Sequence, residues 1–117
     1  MAVPAPVASI TQSTELAAVQ ERKRRELIRW MSLQHINAAR PTVMADMALL
    51  PLIQTAYSDA ALRELRRELD YLMECGLLTV AEDYEAWRLK LTRHGIDLVE
   101  YTTPCPQALA ARRRSHE

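Results

Sequence analysis

Arg63, Arg66 and Arg67 are the side chains in this sequence best suited to recognition chemistry. A guanidinium carries a fixed fork of donors that pairs in bidentate fashion with a phosphate or with the O6/N7 edge of guanine. On a helical wheel at about 100° per residue with Leu62 at zero, Arg66, Asp70, Arg63 and Arg67 fall between about 40° and 140°. Glu64, Glu68 and Tyr71 occupy the next flank, at about 180° to 240°. The arginine flank can meet an anion, and the glutamates beside it repel one unless they turn away. The same charges can instead form Arg–Glu pairs along an exposed helix, each contributing about 0.2–0.5 kcal/mol.

A second set follows in the sequence. Arg88 and Lys90 alternate with Trp87, Leu89 and Leu91, so they project from the opposite face of a half-buried strand. Tyr84 stands in the connection Asp83-Tyr84-Glu85. Side chains so placed can follow a nucleic-acid backbone or enter a minor groove; a merely solvated strand face is the plain alternative. Trp87 reads as a core residue rather than a base-stacking platform. Two basic runs, Arg22-Lys23-Arg24-Arg25 between Glu21 and Glu26, and Arg112-Arg113-Arg114, can add salt-sensitive phosphate contacts.

Catalytic, cofactor and metal chemistry finds no support. There is no Gly-rich phosphate loop, HExxH or GxSxG. His35, His94 and His116 fall in different segments, and with Cys75 and Cys105 they make no standard zinc spacing. The two cysteines read as reduced thiols, Cys75 as a small buried side chain beside a helix end. No catalytic, cofactor-binding or metal residue is assigned.

Elements that position the arginines can be read from periodicity. Residues 1–13, rich in Ala, Pro and Ser, read as a mobile arm. A first helix is expected over 15–34, capped by Thr14, with Leu27, Ile28, Met31 and Leu33 inward and Trp30 alongside. Its first half offers only Leu16, Ala17 and Val19 and suits fraying, a partner subunit or an acidic surface; Leu16, Val19 and Trp30 exceed what a small core needs. Pro41 fits the first position of a second helix over 42–50, with Val43, Met47 and Leu50 inward and a bend at Pro51. Ser58 can cap a third helix over 59–75, whose stripe is Leu62, Leu65, Leu69, Leu72 and Met73, and Gly76 ends it. A hairpin over 77–91 follows, and Thr92 caps a last helix through Tyr101 with Ile96, Leu98 and Val99 inward. Residues 104–117 form a Pro-containing basic tail, leaving 14–103 as one domain.

The composition agrees with one helical domain. The chain has 117 residues, 49% of them hydrophobic, two glycines and no phenylalanine. Its formal net charge is zero, which excludes a global basic field, so any nucleic-acid binding depends on a local patch. No apolar run approaches the ~20 residues of a membrane span, and no signal peptide is evident, so the cytoplasm is the expected compartment.

Helix, hairpin, helix in the order of residues 59–99 is the second half of a winged helix-turn-helix: mainly α, with a three-helix core, a small β wing and a C-terminal helix. The strings Leu65-Arg66-Arg67-Glu68-Leu69-Asp70-Tyr71-Leu72, Gly76-Leu77-Leu78 and Lys90-Leu91-Thr92-Arg93-His94-Gly95-Ile96-Asp97-Leu98-Val99-Glu100-Tyr101 resemble a family of small winged-helix proteins of Mu-like transposable phages and prophages. Its members are often labelled ArsR-like regulators. The resemblance covers residues 27–106. It implies a winged helix of phage origin. The third helix lacks the paired cysteines of metal-sensing ArsR proteins, so metal sensing does not carry over.

Two functions fit. One is a double-stranded DNA-binding regulator with Ser58, Arg63, Arg66, Arg67, Tyr84, Arg88 and Lys90 as contact candidates, dimerising through the first helix. The other is a winged-helix adaptor in phage DNA packaging or assembly, suited by the zero net charge and the interleaved glutamates. Whether Arg63, Arg67, Arg88 and Lys90 converge on one face unbroken by Glu64 and Glu68 distinguishes the two.

Overall fold

The computed structural model describes residues 5–102, with side chains from residue 13 onward. The elements are α1 (Ala5–Ala39), β1 (Met44–Ala45), α2 (Asp46–Gln54), α3 (Leu62–Glu74), β2 (Leu78–Asp83), β3 (Ala86–Leu91) and α4 (Arg93–Thr102). The sheet is antiparallel in the order β1-β3-β2. This is the expected winged helix-turn-helix, mainly helical with a β wing. The short first strand, which periodicity did not suggest, joins the wing to the helical half. The basic tail with Cys105, His116 and Arg112 to Arg114 lies outside the described residues.

Three inward lines build the core, and each contains a polar residue. In α1 the line is Ile28, Ser32, Ile36, with Leu33 beside it; in α2 it is Asp46, Leu49, Ile53; in α3 it is Leu65, Glu68, Leu69, Leu72. Ser32 is satisfied locally, its hydroxyl donating to the Ile28 carbonyl at 2.7 Å. Leu77, Leu78, Leu89, Leu91 and Val99 close the core from the sheet and α4.

Several expected boundaries and faces differ from the observed ones. α1 begins at Ala5 rather than Glu15 and places Thr14 inside the helix. Pro6 falls in its first turn, where a missing N–H would have had no partner anyway. Leu27 faces out, because the line through Ser32 rotates the buried face. Pro41 lies in a turn after a cis Arg40–Pro41 bond, not in a helix. Val43 and Met47 are exposed, since α2 buries the Asp46 line instead, and the helix continues through Pro51 between the buried anchors Leu49 and Ile53. Cys75 is exposed at the end of α3 rather than buried. Gly76 takes the left-handed conformation, φ +75°, that ends α3.

The start of α4 is held against the end of α3. Thr92 Oγ1 accepts from the Gly95 amide at 3.1 Å, as a capping residue should, and donates to the Gly76 carbonyl at 2.6 Å. Gly95 is buried, and a Cβ built there would collide with the Leu77 carbonyl oxygen. That oxygen also accepts from the Thr92 amide at 3.1 Å, so it cannot retreat without loss. Gly95→Ala is expected to destabilise the protein by about 1–3 kcal/mol, as overpacking does, read as a lowered denaturant midpoint; an unchanged midpoint would show that α4 is loosely held.

Candidate nucleic-acid interface

Which flank of α3 faces outward is decided by arginines of α1. Arg24 grips Glu64 in bidentate fashion, Nε to Oε2 at 2.7 Å and Nη2 to Oε1 at 2.9 Å, and reaches Asp59 at 3.0 Å. Arg29 donates from Nε to Glu68 at 2.7 Å; that glutamate is only 2% exposed. The two guanidiniums also lie over tyrosine rings, Arg24 on Tyr57 at 4.8 Å and Arg29 on Tyr71 at 3.7 Å, adding cation–π attraction. The Glu64–Glu68–Tyr71 flank is thus turned onto α1 and neutralised there. The Arg–Glu pairs of this helix are between helices rather than along it.

The opposite flank is left to solvent. Arg63 and Arg67 are exposed, one turn apart, and neither has an ion-pair partner among the described residues. With Leu62, Arg66, Asp70 and Trp87 they line an open groove of about 580 Å³ between α3 and the hairpin. Arg66 differs from its neighbours. Its Nε donates to the fully buried Asp46 at 2.6 Å, and its Nη2 donates to the Glu85 carbonyl at 2.7 Å. Its donors are therefore directed at the protein, whereas the pattern had grouped it with the outward arginines.

The hairpin places the remaining candidates elsewhere. Trp87 pairs with Glu82, and Leu89 with Val80, on the core side; Arg88 pairs with Ala81, and Lys90 with Thr79, on the reverse side. Arg88 and Lys90 therefore do not share the groove wall with Arg63 and Arg67. Arg88 also donates to Asp83 at 3.1 Å. Lys90 is exposed and without an ion-pair partner among the described residues. Tyr84 occupies the turn at φ +59° and is fully exposed. Its neighbours Glu82, Asp83 and Glu85 make the tip acidic, which opposes close approach to phosphate. Ser58 is exposed but does not cap α3: the helix starts at Leu62 with Ala61 before it and no side-chain cap bond. Asp59 leaves the helix to bind Arg24.

Arg24, Arg29 and Asp46 were not legible as members of this site. The one signal available was a polar residue interrupting each inward line, and a single helix does not reveal whether an arginine on another helix will meet it. Among the described residues no helix is long and apolar enough to cross a membrane, and no three His, Cys, Asp or Glu side chains group so as to hold a metal.

No protein-family model matches this sequence, and no curated protein matches it. Among solved structures the chain is similar to a MarR family protein from Bacillus stearothermophilus, at 14% identity and a TM-score of 0.46, over 98% of this chain and 79% of that one. At that identity and score the likeness says nothing of what this chain does, and the functional reading rests on the site's own geometry.

The Arg24–Glu64 contact has a pH signature. The guanidinium hydrogen bond holds the Glu64 carboxyl below its ordinary range. A carboxylate depressed on folding stabilises above the unfolded-state pKa, about 4.3, and this contribution is lost as pH falls through the folded value. Glu64→Gln should therefore flatten the fall in stability below about pH 4.3, measured as denaturant midpoint against pH. An acid limb as steep as in the parent protein would assign the acid sensitivity to other carboxylates.

Proposed function

We propose that this chain is a DNA-binding winged-helix protein, a transcriptional regulator of phage or prophage origin. The observation that carries this reading is the inward turn of Glu64 and Glu68 onto α1, which leaves Arg63 and Arg67 exposed without ion-pair partners among the described residues, with Asp70 beside them in the same groove. A helix presenting such a flank can lie in a major groove with its arginines on base edges or phosphates. The resemblance of the third helix and hairpin-to-helix strings to proteins of Mu-like phages supports the setting. Lys90 and Arg88, on the reverse of the wing, would reach backbone only at the edge of the footprint, and the acidic tip would stay clear of phosphate.

Titration of the protein with prophage DNA at about 50 and 200 mM salt tests this. Binding should weaken steeply with salt, and Arg63→Ala and Arg67→Ala should each reduce the log–log salt slope by about 0.9 if each neutralises one phosphate. Absence of binding at about 50 mM salt would sink the DNA reading. It would favour the adaptor reading, which the acidic hairpin tip supports.

The same reading includes a homodimer through α1. Residues 13–23 of that helix are exposed throughout, with Leu16 58% and Val19 41% accessible. An isolated helical arm of this kind is marginal in water unless its apolar side is covered, and a second copy supplies an identical arm. Light scattering should report a dimer, converted to monomer by Leu16→Glu with Val19→Glu. A monomer at tens of micromolar for the unaltered protein would remove dimerisation from the proposal.

A further inference from the structure

Asp46 is the first residue of α2 and is wholly buried, yet its carboxylate serves two other elements at once. Oδ2 accepts from Arg66 Nε of α3 at 2.6 Å, and Oδ1 accepts from the Trp87 amide of β3 at 3.2 Å. The second contact has a specific cause. β1 ends at Ala45, opposite Arg88, so Trp87 lies one residue past the last strand pair on that edge. Trp87 is paired on its other side with Glu82 across the hairpin. The Asp46 carboxylate accepts the amide that a longer β1 would have taken, so a side chain continues the ladder where the strand stops.

Arg66 completes the connection. Besides Asp46 it holds the Glu85 carbonyl in the hairpin turn at 2.7 Å, and its guanidinium carbon lies 4.9 Å from the centre of the Trp87 ring. One arginine thus touches the start of α2, the turn of the wing and the wing tryptophan while standing on α3 itself. The groove wall bearing Arg63 and Arg67 and the wall bearing Trp87 meet at this residue.

We propose that Asp46 and Arg66 are positioning residues that set the wing against α3. They hold the groove open at a fixed width, and Arg66 is not itself a phosphate contact. The effect on DNA rests on the DNA-binding reading above; the clamp does not. In it, loss of the pair frees the hairpin while the helical core stays intact, because the core lines of α1, α2 and α3 do not run through the Glu85 carbonyl or the Trp87 amide.

The test uses a neutral replacement, Asp46→Asn with Arg66→Gln, which leaves no uncompensated buried charge, and separately Arg66→Lys, which keeps the positive charge but replaces the two separated nitrogens that meet Asp46 and the Glu85 carbonyl with a single ammonium. Amide hydrogen exchange without DNA is measured by residue. Both variants should accelerate exchange at Glu85 to Trp87 by about tenfold or more relative to core amides such as Leu69, since local opening is independent of global unfolding. With DNA, the neutral variant should bind more weakly with an unchanged salt slope. Unchanged hairpin exchange in both variants would overturn the clamp. A slope reduced by about 0.9 in the neutral variant would overturn the second half of the proposal and make Arg66 a phosphate contact. If the unaltered protein fails to bind DNA, the functional reading fails, and the exchange data still decide the clamp.

Discussion

Two buried carboxylates, Asp46 and Glu68, each tie one helix of this molecule to an arginine of another. Each sits in the inward line of its helix with almost no solvent access, and each is met by an arginine from a different helix at 2.6–2.7 Å. Removing one partner of such a pair leaves a charge buried and uncompensated, at a cost of about 3–5 kcal/mol. A leucine stripe alone tolerates some rotation of a helix about its axis. The pairs of Glu64 and Glu68 with Arg24 and Arg29 of α1 do not. They fix which residues of α3 are left facing water.

That orientation turns a chain of zero net charge into one with segregated charge. Glu64 and Glu68 of α3 are held against α1, and Arg63 and Arg67 are left without ion-pair partners among the described residues beside a groove also lined by Leu62, Asp70 and Trp87. The hairpin tip carries Glu82, Asp83 and Glu85, outside the groove that Arg63 and Arg67 line. On the proposed DNA reading, a duplex would be attracted along α3 and repelled at the tip, with α3 at the centre of the footprint and the wing at its border. The wing contacts anticipated from Arg88 and Lys90 sit on the reverse of the ribbon, a consequence of strand alternation once Trp87 is committed inward.

Much of the fold was legible because it follows from local signals. Gly76 ends α3 with a positive φ, Thr92 caps α4, and the alternation of Trp87, Leu89 and Leu91 with Arg88 and Lys90 specifies a hairpin strand. Failures occurred where a buried line contains a polar residue. The apolar pattern turns Leu27 inward and makes Val43 and Met47 the core face of α2, whereas Ser32 and Asp46 set those faces; Ser58 has capping chemistry, but α3 starts only at Leu62. β1 was missed because two residues of strand carry no periodicity; its existence depends on β3 being there to pair with it.

The amino-acid sequence by itself determined the order of the helices and the hairpin, the winged arrangement and the division of arginines and glutamates onto adjacent flanks of one helix, since these depend on residues within a few turns of each other. Only the tertiary structure decided which flank faces outward and which arginine is withdrawn from it. Arg24 and Arg29 meet glutamates some forty positions away, and Arg66 meets an aspartate twenty positions away. Spacing along a chain carries no record of such partners, because burial is what makes an ion pair obligatory and burial is a property of the assembled core.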